Sequence, residues 1–109
     1  MLNKLQFQYL YNDNTDSHEV EAFTDSGQVG RLVWDDDTGE IEHLHVGDKY
    51  RRKGVATALW ETAHEESSDL GVTPPAHSSI RTKAGDSWAR AVGGHVPRLT
   101  DDVDGWSNQ

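Results

Sequence analysis

Apolar and polar residues alternate with a period of two along much of residues 4–46, which is the pattern of half-buried β-strands. Clusters of Asn, Asp, Ser, Thr and Gly interrupt the alternation and are typical of tight turns. We therefore predict an antiparallel meander of four strands, in residues 4–11, 18–24, 29–34 and 40–46.

The spacing of apolar residues changes to a helical one after residue 54. Val55, Leu59 and Ala63 recur every four residues, and Gly71 ends the pattern. This predicts one long helix after the fourth strand.

The remaining chain predicts two further elements. Residues 76–81 have the pattern of a fifth strand, and Asp86 is placed to cap a short helix that Gly93 would end. The predicted fold is thus α/β (α+β), with a mainly antiparallel sheet, one long helix after strand 4 and a short helix after strand 5.

Composition limits the kind of protein this can be. The 109 residues fit a single domain, 1–109. The sequence has neither a transmembrane-length apolar run nor a signal peptide, which predicts a cytoplasmic protein. The absence of cysteine excludes disulfides and any acyl-cysteine intermediate.

The charge balance is strongly acidic. A formal net charge of -9 argues against nucleic acid as the main partner, because such binding depends on many Lys and Arg contacts to phosphate. The acidity suits a cationic acceptor, or it serves solubility alone.

Basic residues are concentrated at one point of this acidic chain. Four of the ten, Lys49, Arg51, Arg52 and Lys53, come just before the long helix, where the helix dipole is already positive. Free N–H groups of the helix, the guanidinium groups and Gly54 together favour a bound anion such as pyrophosphate. The alternative is a solvated basic loop.

This segment resembles a known signature. Residues Arg51-Arg52-Lys53-Gly54-Val55-Ala56 are similar to Q/R-x-x-G-x-G/A of the GNAT superfamily of N-acetyltransferases, and a predicted strand and helix flank them as in that family. The resemblance covers about residues 28–94. It implies acetyl-CoA as the cofactor, entering where the fourth and fifth strands splay apart.

The resemblance also implies the residues that would bind the cofactor. The pyrophosphate would be held by Arg51, Arg52, Lys53, Gly54, Val55, Ala56 and Thr57. The backbone near Leu44, His45 and Val46 would hold the pantetheine arm and the thioester.

Two features depart from the family. Only residues 12–17 separate strands 1 and 2, where the family has one or two helices that form part of the acceptor site. This compact form implies an acceptor side that is open or completed by a second subunit. The short helix also lacks the tyrosine that often serves the family as general acid.

Catalytic candidates lie on the fourth and fifth strands. Simple alternation places Glu40 and Glu42 on one face together with Leu44 and Val46, and two histidines, His43 and His45, on the other, beneath the long helix. A carboxylate near the acceptor can take a proton from the amine, and Glu42 matches the family's base best.

On the fifth strand, His77 and Ser78 could bond the pantetheine or protonate the thiolate, and Ser79 could do the same. We predict no metal site, because the sequence has no metal-ligand spacing.

These observations predict an N-acetyltransferase that transfers acetyl from acetyl-CoA directly to an amine, with a basic or lysine-bearing protein as the expected acceptor. A homodimer is a second expectation, and no nucleic acid or membrane partner is expected. The alternative is an inactive GNAT-fold module that binds CoA or another protein.

Overall fold

The computed structural model describes residues 4–78, 83–94 and 96. It divides the chain into two compact units, Met1–Pro75 and Ala76–Gln109. The first unit contains β1 (Gln6–Asn12), β2 (Ser17–Thr24), β3 (Gly27–Asp35), β4 (Ile41–Val46), a 3₁₀ turn (Asp48–Tyr50) and α1 (Val55–Leu70). The second contains α2 (Lys83–Val92).

The four strands pair antiparallel in the order β1-β2-β3-β4, which confirms the predicted meander. The register aligns Tyr9 with Val20, Val20 with Leu32, and Leu32 with Leu44. Helix α1 packs on this side of the sheet, which we call the helix face, and the opposite side is the cleft face. The buried core between sheet and helix consists of Val20, Ala22, Val29, Leu32, Trp34, Val55, Leu59 and Ala63.

Gly30 on β3 sets how closely α1 approaches the sheet. A Cβ atom at this position would lie 3.0 Å from the carbonyl oxygen of His45 and 3.2 Å from methyl groups of Leu59 and Val55. A larger residue would push the first turns of α1 away. The glycine therefore holds the N-terminal part of the helix close to the end of β4.

Strand β4 contains a bulge that sequence alternation does not reveal. Val33 pairs with His43 and Trp34 pairs with Ile41, so Glu42 is an extra residue opposite β3. A bulge of this kind shifts the side-chain alternation on one side of it.

The bulge corrects two predictions about β4. Leu44 and Val46 are partly buried against the core on the helix face, whereas His43 and His45 are exposed. The prediction that the histidines lie beneath the long helix was wrong. Leu44 and Val46 also do not share a face with Glu42, which lines the cleft face.

Helix α2 begins earlier than predicted. Asp86 lies in its first turn rather than at its cap and pairs with Arg90, with 3.0 Å between Oδ2 and Nε, so the predicted cap was wrong. The predicted end at Gly93 is confirmed. Gly93 has a positive φ, and its N–H donates to the carbonyl oxygen of Ala89.

Of the predicted fifth strand, residues 79–81 lie outside the described residues, and Ala76 forms an isolated β-bridge. In the part of the chain that the structure describes, no helix is long and apolar enough to cross a membrane.

Candidate active site

The basic loop, residues 47–54, connects β4 to α1. Its first half is a compact turn, because the N–H of Tyr50 donates to Gly47 O at 2.8 Å. The N–H of Gly47 donates to Val29 O at 2.9 Å and so ties the start of the loop to β3. Its second half is left-handed at Arg52, with φ 61, and at Gly54, with φ 85. Such a conformation costs a non-glycine residue about 1–2 kcal/mol, a cost that Gly54 avoids and Arg52 does not.

Helix α1 begins without a capping side chain. Gly54 is the N-cap residue and supplies no side-chain hydrogen bond, and the first turn holds no acidic residue. The first backbone bond of the helix runs from the N–H of Ala58 to Gly54 O at 2.9 Å. The N–H groups of Val55 and Ala56 therefore point out of the helix end, where the dipole is positive.

Arg51 lies where this helix end meets β4. Its Nε donates to the carbonyl oxygen of Val46 at 3.3 Å, and its Nη2 lies 3.3 Å from the carboxylate of Asp48. Arg51, Arg52 and Lys53 are all exposed. The structure thus brings three cations to the N-terminus of α1, and this arrangement suits a phosphate-bearing ligand.

The outer edge of β4 presents backbone groups beside this loop. Hydrogen-bonded and non-hydrogen-bonded pairs alternate along antiparallel strands. Gly47 and Val29 form a hydrogen-bonded pair, so every second residue of β4 also bonds to β3. The backbone groups of His45 therefore point toward β3, and those of Leu44 and Val46 point away from it. Within the described four-stranded sheet, β4 is an edge strand.

The cleft lies on the cleft face of the sheet and has a volume of about 360 Å³. Its walls come from all four strands and from the turn between β1 and β2. The lining residues are Asn12, Thr15, Ser17, Glu19, Arg31, Val33, Glu42 and His43.

Glu42, the bulge residue, is oriented in this cleft by Ser17. Ser17 is 3% exposed, and its Oγ donates to Glu42 Oε1 at 2.8 Å, with a longer contact of 3.3 Å to the carbonyl oxygen of Thr15. The carboxylate of Glu42 is itself exposed. A hydroxyl from a buried strand therefore positions a carboxylate that is accessible from the cleft.

The cleft is lined by two carboxylates, of Glu19 and Glu42, and by one guanidinium group, of Arg31. Arg31 Nε lies 3.3 Å from Glu19 Oε2, and Glu21, next on the same strand face, has a pKa raised by burial and then by its hydrogen bond with Glu19. Glu40 is exposed at an isolated β-bridge just before β4 and does not line the cleft. Among residues 4–78, 83–94 and 96, no three His, Asp or Glu side chains are grouped so as to hold a metal ion.

His77 and Ser78 belong to the second unit and are buried, at 4% and 8% exposure. The Nε2 of His77 donates to the carbonyl oxygen of Gly93 at 2.8 Å, and its ring meets Trp88 edge-on with 5.4 Å between centroids. These contacts tie the residues before α2 to the end of that helix. Ser79 lies outside the described residues.

Sequence reasoning missed a cluster on the helix face. His18 is 2% exposed; its Nδ1 lies 2.5 Å from Tyr9 Oη and its Nε2 lies 2.7 Å from Asp36 Oδ1. The ring stacks on Trp34, whose indole N–H donates to Thr73 O at 2.8 Å. Alternation with Val20 and Ala22 was the available signal, because it places His18 on the buried face.

Comparison with known proteins identifies relatives of this arrangement. The family model described as "Acetyltransferase (GNAT) family" matches residues 6–77. No curated protein matches the sequence significantly.

Solved structures share the fold at low sequence identity. The ribosomal-protein-alanine N-acetyltransferase from Brucella melitensis biovar Abortus 2308 is 13% identical, with a TM-score of 0.70 over 90% of this chain and 96% of that one. AAC(6')-Iy, in complex with the bisubstrate analogue CoA-S-monomethyl-acetylneamine, is 13% identical, with a TM-score of 0.68 over the same shares. The aminoglycoside 6'-N-acetyltransferase AAC(6')-Ih from Acinetobacter baumannii is 15% identical, with a TM-score of 0.62 over 89% and 95%.

Proposed function

This chain belongs to the GNAT acetyltransferase family, whose cofactor is acetyl-CoA, and from this premise we propose that it transfers acetyl directly to an amine without a covalent enzyme intermediate. One observation carries the proposal. The uncapped, cationic N-terminus of α1 adjoins edge strand β4, and the bulge of the same strand presents Glu42 to the cleft.

The basic loop has the features that a pyrophosphate site needs. Arg51, Arg52 and Lys53 supply positive charge, and Gly54 leaves open space, because a Cβ built there would meet no atom within 4 Å. The helix adds the N–H groups of its first turn, from Val55 to Thr57. The outward backbone groups of Leu44 and the outward N–H of Val46 would hold the pantetheine arm along β4, because Val46 O already accepts from Arg51 Nε. His45 would contribute little, since its backbone faces β3.

Glu42 would act as the general base. Acetyl-CoA would supply the acyl group, and its thiol would leave as the thioester C–S bond breaks. A protonated amine must lose a proton before its nitrogen can form the new C–N bond, and Glu42 would accept that proton directly or through a water molecule. The hydrogen bond from Ser17 would keep the carboxylate turned toward the cleft.

The acceptor would be an amine on a basic protein, with lysine as the leading candidate. The cleft has the size of a small-ligand site and is lined by two carboxylates and one guanidinium, which favours a cationic group. The short turn between Asn12 and Ser17 gives a small acceptor few further contacts. A net charge of -9 would steer a basic protein toward this chain, and raised salt should slow that reaction.

Calorimetry with acetyl-CoA tests the cofactor site. The double variant Arg51→Ala/Arg52→Ala should bind acetyl-CoA at least about tenfold more weakly, because charge-assisted hydrogen bonds contribute about 1.5–3 kcal/mol each. Lys4→Ala removes an exposed cation elsewhere and should leave affinity unchanged. Affinity of the double variant within twofold of the wild type would refute the assignment.

The absence of a tyrosine on α2 favours one alternative, a CoA-binding module without catalysis. Thiol release separates the two. An enzyme releases CoA faster when a basic protein acceptor is added, whereas a binding module takes up acetyl-CoA in the calorimeter and releases no thiol with any amine. Efficient turnover of a small neutral amine would contradict the proposed acceptor class.

A further inference from the structure

Strand β1 is an unprotected edge of the described sheet. Proteins usually guard such edges with charged residues, proline or a bulge. Gln6–Asn12 contains no charged residue and no proline, and its register with β2 is continuous over all seven residues. Six of the seven residues are exposed.

Apolar exposure is concentrated on this strand. Of the four large hydrophobic residues exposed in the described part of the chain, three lie on β1, namely Phe7 at 37%, Leu10 at 38% and Tyr11 at 48%. The fourth is Leu70, at the end of α1. An exposed apolar strand edge is a surface that another strand can cover.

The distribution of charge along the chain indicates which strand could cover the exposed edge of β1. The chain has 19 acidic residues and a net charge of -9, so two copies repel each other over most of their surface. Residues 4–12 contain no acidic residue and one lysine. β1 is therefore a place where a second copy can approach without facing carboxylates.

We propose that β1 pairs antiparallel with β1 of a second copy, so that two four-stranded sheets join into one of eight strands. Centring the two-fold axis on Tyr9 places Phe7 opposite Tyr11 of the other copy, twice per dimer, on the helix face. On the cleft face, Gln8 lies opposite Leu10. Aromatic pairs directly opposite each other are among the more stabilising cross-strand contacts.

The pairing is closed, because a two-fold contact uses the same strand of both copies. The other edge of the described sheet, β4, then lies at each end of the eight described strands. It presents Glu42, His43 and His45 and contains a bulge, which makes it a poor template for further pairing. The assembly stops at two copies.

The dimer also bears on the cleft. Asn12 ends β1 and lines the cleft wall. Antiparallel pairing brings the beginning of the partner's β1 beside Asn12. The second copy therefore adds surface to the side of the cleft where the short β1–β2 turn contributes few residues. This inference depends on the edge strand alone, and its test does not require acetyltransferase activity.

Sedimentation velocity over the micromolar range tests the proposal with the purified chain. The wild type should sediment as a dimer. Leu10→Lys should weaken the dimer by about tenfold or more, because two cations per dimer then enter the pairing. The lysine would face Glu19 across the β1–β2 ladder, so the folded monomer tolerates it, as circular dichroism can check.

The control is Leu70→Lys, which alters a more exposed leucine away from β1 and should leave the dimer intact. Since the chain has no cysteine, Gln8→Cys/Leu10→Cys gives a register test: this double variant should form an interchain disulfide on oxidation, and Gln8→Cys alone should not. A monomeric or open-ended wild type, a dimer unaffected by Leu10→Lys, or a dimer without the crosslink would each overturn the proposal.

Discussion

Ser17 and His18 are consecutive residues of β2, yet they take part in two very different sites on opposite faces of the sheet. Each bonds to a carboxylate, Ser17 to Glu42 at 2.8 Å and His18 to Asp36 at 2.7 Å. Ser17 opens onto the cleft, whereas His18 is surrounded by aromatic rings. The comparison shows that the hydrogen bond does not decide the role of a carboxylate. The side chain of Asp36 is 40% exposed but holds a buried ring, whereas Glu42 lines the cleft, so the position of the carboxylate decides whether it can meet a substrate there.

The helix-face site is a closed chain of hydrogen bonds. Burial, and then the charges of Asp36 and Glu66, raise the pKa of Tyr9, and its Oη is hydrogen-bonded to Nδ1 of His18. The other ring nitrogen, Nε2, donates to Asp36 Oδ1. Every polar atom of the ring has a partner, which is what a structural role requires.

The largest expected difference between the cleft-face site and the helix-face site comes from removing the charge of Glu42. Glu42→Gln should lower turnover by about 10²- to 10⁴-fold, the usual scale of general-base catalysis, with CoA affinity nearly unchanged. Steady-state kinetics and calorimetry measure the two effects. The loss should shrink as pH rises, because more of the acceptor amine is already neutral. A deficit that is equal at every pH would indicate positioning instead of proton removal.

The same truncation on the helix face should act on stability. His18→Ala leaves the Tyr9 hydroxyl without its partner and opens space beside Trp34, which should cost about 2–4 kcal/mol of unfolding free energy. Urea denaturation measures the loss. Turnover per folded molecule should stay within about threefold of the wild type, since the cluster does not line the cleft. A specific loss of turnover in the folded variant would place the cluster in the chemistry.

The sequence was sufficient to predict the meander, the long helix and its end at Gly71, because each depends on local periodicity and turn residues. The face of each β4 residue was not predictable, because the bulge at Glu42 arises from pairing with β3 and has no local signature. The bond from Ser17 to Glu42 joins residues 25 positions apart, so a one-dimensional pattern could not give it.

Replacing Ser17 should have smaller effects than the two changes above, and it should affect both stability and turnover. Ser17→Ala removes one hydrogen bond and should cost about 0.5–1.5 kcal/mol of stability, less than His18→Ala. It should lower kcat by about threefold to tenfold through looser positioning of Glu42, while KM for acetyl-CoA stays constant. Ser17→Thr keeps the hydroxyl and should recover part of kcat. An unchanged kcat in the alanine variant would show that Glu42 needs no support from β2.

The smallest expected effect concerns electrostatics beside the cleft. Burial, and then the hydrogen bond with Glu19, raise the pKa of Glu21 above 4.5, so the charged form is less favourable in the folded chain. The stability from this group is complete below the unfolded pKa and is lost as pH rises through the folded pKa. Glu21→Gln should therefore be slightly more stable than the wild type at neutral pH, and the difference should vanish in acid.

Asp35, on the neighbouring strand β3, is the matched control of opposite sign. Hydrogen bonds from the backbone of Thr38, chiefly, lower its pKa below 3.8, so its contribution is present at neutral pH and is lost as pH falls through the folded pKa. Asp35→Asn should therefore lower stability at neutral pH and lose that effect in acid. Urea titrations of both variants across pH should give difference curves of opposite sign. Difference curves of the same sign would show that changes in the backbone, and not the ionisation of these two carboxylates, determine how the unfolding free energies of the variants depend on pH.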